Sequence, residues 1–206
     1  MATPTKVLLT GFEPFGQLRE NPSQVVAEAL SQQEWAGAEV RHLILPVEFA
    51  RARACIADFY RGEWLPDIIL HLGVAKSRNT VTLERFAVNL MDTAKGDNAG
   101  YFPDEVPVVA DAPVAYQTTI PCKHIVQHLK DNGFDAKLSN SAGTYVCNAV
   151  LFTSLHILSN SCSISPRLAK DVLCGFIHLP LFENVDKSQQ LATVKAILQW
   201  LVRNRL

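Results

Sequence analysis

Apolar residues recur along the chain with two different periods, and the periods take turns. Lys6 to Thr10 (KVLLT) is a short apolar run stopped by Gly11, which predicts a buried strand. Asn21-Pro22 then opens a helix, because Asn accepts hydrogen bonds at an N-cap and Pro suits the first helical position, and Val25, Val26, Ala29 and Leu30 follow at helical spacing. A second strand is predicted over Val40 to Leu45, ended by Pro46. A helix over Glu48 to Arg61 has Ala52, Cys55, Ile56 and Phe59 on one face. Asp67 to Leu72 reads as a strand ending at Gly73, and Val81 to Leu90 as one or two more.

Between Asp92 and Thr118 the chain is rich in Gly, Pro, Asp and Ala, which predicts a long ordered loop near a functional face. Alternation then resumes. Helices are expected over Ile120–Asn132, Asn148–Leu158 and Ser188–Arg203, and strands over Asp135–Leu138 and Val172–His178. Strands and helices that take turns in this way predict an α/β sandwich with a largely parallel, twisted central sheet covered on both faces. No repeat or linker divides it, so residues 1–206 are expected to form a single domain.

Composition narrows the function classes. The 206 residues are 48% hydrophobic and 19% charged, ordinary globular usage that leaves no room for a disordered or fibrous whole-chain reading. Nineteen basic and twenty acidic residues give a net charge of −1, so no global field draws nucleic acid or anionic lipid. The N-terminal segment lacks a signal-peptide pattern and no 18-residue apolar run occurs, so the expectation is a soluble, cytoplasmic protein with no membrane and no nucleic-acid partner. Five cysteines, Cys55, Cys122, Cys147, Cys162 and Cys174, are odd in number and irregular in spacing, which suits a reducing compartment and allows one to be a working thiol.

In open α/β sheets the reacting groups gather beyond the carboxyl ends of strands. Cys147 follows the turn Ser141-Ala142-Gly143 at the start of a predicted helix, where free N–H groups and the helix dipole favour a thiolate nucleophile. His178, at the end of a predicted strand, could take the thiol proton if the two ends are neighbours, and Glu84 could orient the imidazole. Each has a plainer alternative: a buried small hydrophobe for Cys147, a satisfied core histidine for His178, and a surface ion pair with Arg85 or Arg78 for Glu84. Cys122, His124 and His128 are better read as a helix start and polar surface than as a metal set. Neither a Gly-x-Gly-x-x-Gly nor a P-loop pattern is present, so no metal and no cofactor is expected. Phe12 and Phe15 either plug the core or line a small apolar pocket.

Four blocks together resemble the type I pyroglutamyl peptidases. They are Leu8–Gly16 (LLTGFEPFG) with Asn21-Pro22-Ser23, Val81–Asn89 (VTLERFAVN), Ser139–Asn148 (SNSAGTYVCN), and Gly175–Pro180 (GFIHLP), in the family's order and spacing. The resemblance implies a cysteine peptidase that removes an N-terminal pyroglutamyl residue through an acyl-enzyme on Cys147. His178 would be base and then acid, Glu84 its orienting partner, and Phe12, Phe15, Tyr145 and Val74 the contacts of the lactam ring. It also implies small peptide substrates with N-terminal pyroglutamate and assembly as a homotetramer. Three positions depart from the pattern: Ala94 stands where bacterial members often have Arg, Ala149 where many have His, and Val74 where many have Gln. The alternatives are a catalytically silent relative that binds pyroglutamyl-capped peptides and a cysteine hydrolase for another small amide.

Overall fold

The computed structural model describes residues 3–160 and 171–205; Cys162 lies outside the described residues. In chain order the elements are β1 Thr5–Phe12, α1 Pro22–Ser31, β2 Ala38–Leu45, α2 Phe49–Phe59, β3 Ile68–Val74, β4 Val81–Glu84 and β5 Phe86–Val88. They continue with β6 Ala115–Gln117, α3 Cys122–Asp131, β7 Ala136–Ser139, α4 Val146–Ser159, β8 Leu173–Leu179 and α5 Lys187–Asn204. Six strands form one sheet in the order β2-β1-β3-β8-β4-β7, and β5 and β6 pair separately as a small antiparallel ribbon.

The period-2 pattern of the strands splits the core in two. Along β1, Val7 and Leu9 face α1, α3 and α5, where Val26, Leu30, Ile125, Leu129, Ile197 and Leu198 are buried. Leu8 and Phe12 face α2 and α4, where Phe49, Ile56, Val150, Phe152 and Leu155 are buried. A sheet sandwiched between two helical layers hides both faces, which is why β3 is buried at every position and reads as a continuous apolar run. Each such large apolar side chain contributes about 1.5–3 kcal/mol by leaving water.

Strands β1, β2, β3 and β8 are parallel, but β4 runs antiparallel to β8 and β7 follows β4. The sheet is therefore largely parallel, as its alternation predicts, with two reversed strands at one edge. Residues 75–80 alone join β3 to β4, too short a link for the crossover that a parallel pair needs, so the chain turns back. The stretch predicted as loop is mostly irregular, but it contains β6, whose three residues are too few to show a period.

The N-cap at Asn21 is as expected: its Oδ1 accepts from the Ser23 N–H at 3.0 Å. Gly11 lets that helix start lie against β1, because a Cβ there would stand 2.5 Å from the Ser23 carbonyl oxygen.

One polar residue sits at the centre of β3. His71 shares a hydrogen bond with the Thr10 hydroxyl through Nδ1 and with the Ser154 hydroxyl through Nε2, both at 2.8 Å, and so pins β1, β3 and α4 together. Burial pushes its pKa down to about 3. A base held below its ordinary value of about 6.5 contributes stability that is complete above that value and is lost as pH falls toward the folded-state pKa. Between pH 7 and pH 5 this single group is expected to remove about 2 kcal/mol, read as a lower urea midpoint. His71→Gln, which cannot take up the proton, should lose most of that pH dependence. An equally steep fall in the variant would remove His71 as its source.

Candidate active site

The register of β3 and β8 builds the centre of the site. Gly73 is paired with His178 across this ladder, and in a parallel pair such partners point to the same face. That face belongs to α2 and α4. A Cβ on Gly73 would lie 2.9 Å from Cys147 Sγ and 2.7 Å from the Phe176 ring, so the thiol rests on the bare Gly73 backbone, beside the strand position that holds His178. Cys147 is the second residue of α4. Its N-cap, Tyr145, makes no side-chain hydrogen bond to the helix, so the backbone N–H groups of the first turn remain available.

The reversed direction of β4 supplies the carboxylate. Glu84 pairs with Phe176, two residues before His178, which places Glu84 and His178 as diagonal neighbours on one face of an antiparallel ladder. Glu84 Oε1 accepts from His178 Nδ1 at 2.7 Å. Glu84 does end its strand, but because β4 is reversed it lies at the level of Phe176, inside the sheet, and not beyond the carboxyl ends of β3 and β8. It differs from the surface ion pair weighed as its alternative, because its side chain is 0% exposed. His178, at 5% exposure, is buried as well.

Burial dominates the ionisation of both His178 and Cys147. It holds the His178 pKa below its ordinary value, against the hydrogen bond and charge of Glu84, which raise it. The Cys147 thiol is pushed up to about 12, first by burial and then by the Glu84 charge, while its own backbone N–H acts in the opposite direction. The helix start therefore does not by itself yield the thiolate that the sequence suggests. Burial and the Glu84 charge thus oppose the helix start at the thiol, while burial disfavours the charged form of the imidazole.

Phe12, Phe15, Val74 and Tyr145 all converge beside the thiol. With Asn21, Val47, Val146 and Cys147 they line an inner cavity of about 30 Å³. Phe12 fills both roles left open by the sequence, being 2% exposed in the core and part of this wall. Phe15, Val74 and Tyr145 also border an outer cleft of about 890 Å³, which carries Lys76 and Lys95. The Tyr145 ring meets Phe49 edge-on with centroids 5.4 Å apart, and its hydroxyl donates to the Gly96 carbonyl at 3.1 Å. Those contacts fix the wall in place.

The Asp92–Asn98 segment, which departs from the family pattern, is docked. The Asp97 carboxylate accepts from the Phe49, Ala99 and Tyr101 N–H groups at 2.8–2.9 Å, and the Asp92 backbone carbonyl accepts from the Thr144 hydroxyl at 2.6 Å. Ala94 in its middle is exposed.

Two residues with direct links to this geometry were given no place in the site from the sequence, where Arg78 was weighed only as a surface partner of Glu84. Arg78 meets Glu84 Oε1 at 2.5 Å. Asn148, fully buried, brackets the segment after Glu84 through Val88 N–H, Val88 C=O and Leu90 C=O at 2.9–3.0 Å, tying it to the turn of α4 that carries Cys147. A signal existed for each: Arg78 lies in the short connection feeding the Glu84 strand, and Asn148 is a polar residue in an otherwise apolar helix. The metal set set aside in the sequence is split, with Cys122 buried and His124 exposed on α3.

A thiol at a helix start, next to a histidine that a buried carboxylate holds, on an α/β/α sandwich, is the architecture of a cysteine hydrolase. Comparison with known proteins narrows it. A family profile described as pyroglutamyl peptidase matches residues 5–198. Pyrrolidone-carboxylate peptidase of Thermococcus kodakarensis is 40% identical over 203 residues, covering 96% of this chain and 94% of its own. The Chromobacterium violaceum protein of the same name is 43% identical over 176 residues, 84% and 77% of the two chains. Among solved structures, a mutant pyrrolidone carboxyl peptidase of Pyrococcus furiosus superposes with a TM-score of 0.89 at 33% identity, covering 98% of this chain and 100% of that one. The Fervidobacterium islandicum pyrrolidone carboxyl peptidase gives 0.88 at 32%, covering 97% and 99%. The chain belongs to the pyroglutamyl peptidase family of cysteine peptidases.

Proposed function

We propose that the whole chain is one peptidase domain that hydrolyses the bond after an N-terminal pyroglutamyl residue, with Cys147, His178 and Glu84 as its reacting set. The observation that carries this reading is the Glu84–His178 hydrogen bond on the same face as a thiol seated on Gly73, directly beside an aromatic-walled cavity. Cys147 Sγ attacks the pyroglutamyl carbonyl carbon while His178 Nε2 takes the thiol proton and Nδ1–H donates to Glu84. The developing oxyanion is met by N–H groups of the first turn of α4. The C–N bond breaks as His178 returns the proton to the leaving amine, giving a thioester. Water, deprotonated by the same imidazole, then attacks the thioester, and the released thiolate is reprotonated.

Substrate choice follows from the walls. Pyroglutamate is a small neutral lactam with no free amine, so Phe12, Phe15, Tyr145 and Val74 can enclose it without burying a charge. A free N-terminal amine would have to be buried unpaired there. Phe15, Val74 and Tyr145 border both the inner cavity and the outer cleft, so the two spaces meet at these side chains. The outer cleft then takes the rest of the peptide.

Residence in the cytoplasm and assembly as a homotetramer extend the same reading. A reducing compartment suits a chain whose Cys55, Cys122, Cys147 and Cys174 are all free. Phe102 and Val114, 61% and 87% exposed, offer apolar surface for contact between copies. Among the described residues no helix is long and apolar enough to cross a membrane.

Release of a fluorogenic amine tests the reading. Turnover is expected with the pyroglutamyl amide and at least about 100-fold less with the alanyl amide, whose charged amine the cavity rejects. Folded, reduced protein that cleaves neither would favour a silent binding relative. Equal cleavage of both would favour a less selective amide hydrolase.

A further inference from the structure

The steps above leave one buried-site cation unused. Arg78 stands in the connection between β3 and β4, and its guanidinium reaches four groups on three segments. Nη1 donates to Glu84 Oε1 at 2.5 Å and to the Thr82 hydroxyl. Nη2 donates to Ser139 Oγ at 3.2 Å and to the Ser141 carbonyl at 3.3 Å. Ser139 ends β7, and Ser141 begins the turn that delivers Cys147. Glu84 Oε1 thus accepts from both the guanidinium and the imidazole, while Oε2 is buried with no hydrogen-bond partner among the described residues.

Such a pair differs from an ordinary surface ion pair. The carboxylate is 0% exposed and the guanidinium 24%, so water screens the contact little and a planar fork suits it better than a point charge. Resting on the peptidase reading given above, we propose that Arg78 is a positioning residue of the reaction. Its guanidinium balances the buried Glu84 charge, aims Oε1 at His178, ties the Ser139–Ser141 turn to both, and thereby governs proton exchange between Cys147 and His178.

The charged and titratable surroundings are few. Glu84 faces His178 from β8 and Arg78 from the loop, and its backbone oxygen lies 3.6 Å from the Cys122 thiol of α3. Arg85 acts on that thiol rather than on Cys147. Arg78 opposes Glu84 at both reacting groups, lowering the pKa of His178 and of Cys147 where Glu84 raises them. Loss of its charge should therefore make both ionise at higher pH.

The test compares the full-length wild type with Arg78→Gln and Arg78→Lys by two readouts. One is the pH dependence of iodoacetamide labelling at Cys147, followed by peptide mass mapping, which requires no turnover. The other is kcat and KM on the pyroglutamyl amide across pH. In Arg78→Gln the labelling midpoint and the acid limb of kcat/KM are expected to rise by about 0.5–1 pH unit, with kcat down about 10–100-fold. Arg78→Lys, which keeps the charge but loses the fork, should hold the midpoints within about 0.3 unit while kcat falls about 3–10-fold at constant KM.

Wild-type midpoints in Arg78→Gln overturn the proposal even if activity falls evenly at every pH, since that is what a purely structural arginine would give. If Arg78→Gln does not fold, wild-type kcat in Arg78→Lys overturns it and a lowered kcat with fixed midpoints supports it. A wild type that cleaves no pyroglutamyl amide defeats the peptidase reading instead, and the labelling curves still decide whether Arg78 controls the thiol.

Discussion

Cys147→Ala is expected to lower kcat on a pyroglutamyl amide by about 10³-fold or more while leaving KM within about threefold. The size of the loss follows from what remains. The α4 N–H groups, the aromatic walls and the Glu84–His178 pair all persist, so substrate still binds, but no atom is left to form the thioester. Cys147→Ser should recover little. The wild-type thiol is already pushed up to about 12 by burial and Glu84, so His178 must draw the proton away during attack, and a hydroxyl holds its proton more tightly still. Stability should change little in either variant, because the thiol lies on Gly73 at the cavity wall and the side chain removed is small. Retention of more than a tenth of wild-type kcat in folded Cys147→Ala would remove the thiol from the chemistry. Labelling sharpens the measurement: Cys122 and Cys174 are buried, leaving the half-buried Cys55 as the competing site among the described cysteines.

The periodicity of the chain made most of this fold legible. Each of the five described helices and the strands β1, β2, β3, β7 and β8 lies within two residues or so of its sequence-based bounds, because each buries one stripe or both faces against a full layer. What the periodicity did not carry was strand direction. Nothing in Val81–Glu84 states that it runs against β8; the short 75–80 connection does, once β8 is known to lie between β3 and β4. That reversal is also why Glu84 could be nominated but not placed. A carboxylate between Leu83 and Arg85 looks like surface in one dimension, and only the diagonal register with His178 buries it. The burial of the Arg78 contacts and the role of Asn148 escaped the sequence for a related reason. Arg78 bonds Ser139 and Ser141, 61 and 63 residues away, and Asn148 bonds Val88 and Leu90, 60 and 58 residues away, and local spacing has no access to such contacts. The helix-start argument for Cys147 rested on an incomplete energy. It weighed the dipole without the burial and the nearby carboxylate that outweigh it.

Glu84→Gln separates activation of the thiol from catalysis, and its two effects are expected to run in opposite directions. The substitution keeps the shape of the side chain but deletes the charge that raises the pKa of both Cys147 and His178. Cys147 should then ionise at lower pH, and iodoacetamide labelling at a fixed neutral pH should become faster. Turnover should nevertheless collapse, with kcat lower by about 10²–10⁴-fold. An amide nitrogen facing His178 Nδ1 favours the tautomer whose proton sits on Nε2. That nitrogen then points a donor, not an acceptor, at the thiol, and the proton has nowhere to go during attack. The acid limb of kcat/KM should move down as His178 loses the stabilisation of its charged form, opposite in sign to the shift expected for Arg78→Gln. A structural defect at Glu84 would slow labelling and turnover together. Faster labelling with lost turnover can arise only if the carboxylate sets the protonation state of the pair, whereas kcat within about threefold of wild type would mean that the 2.7 Å contact with His178 has no part in the reaction.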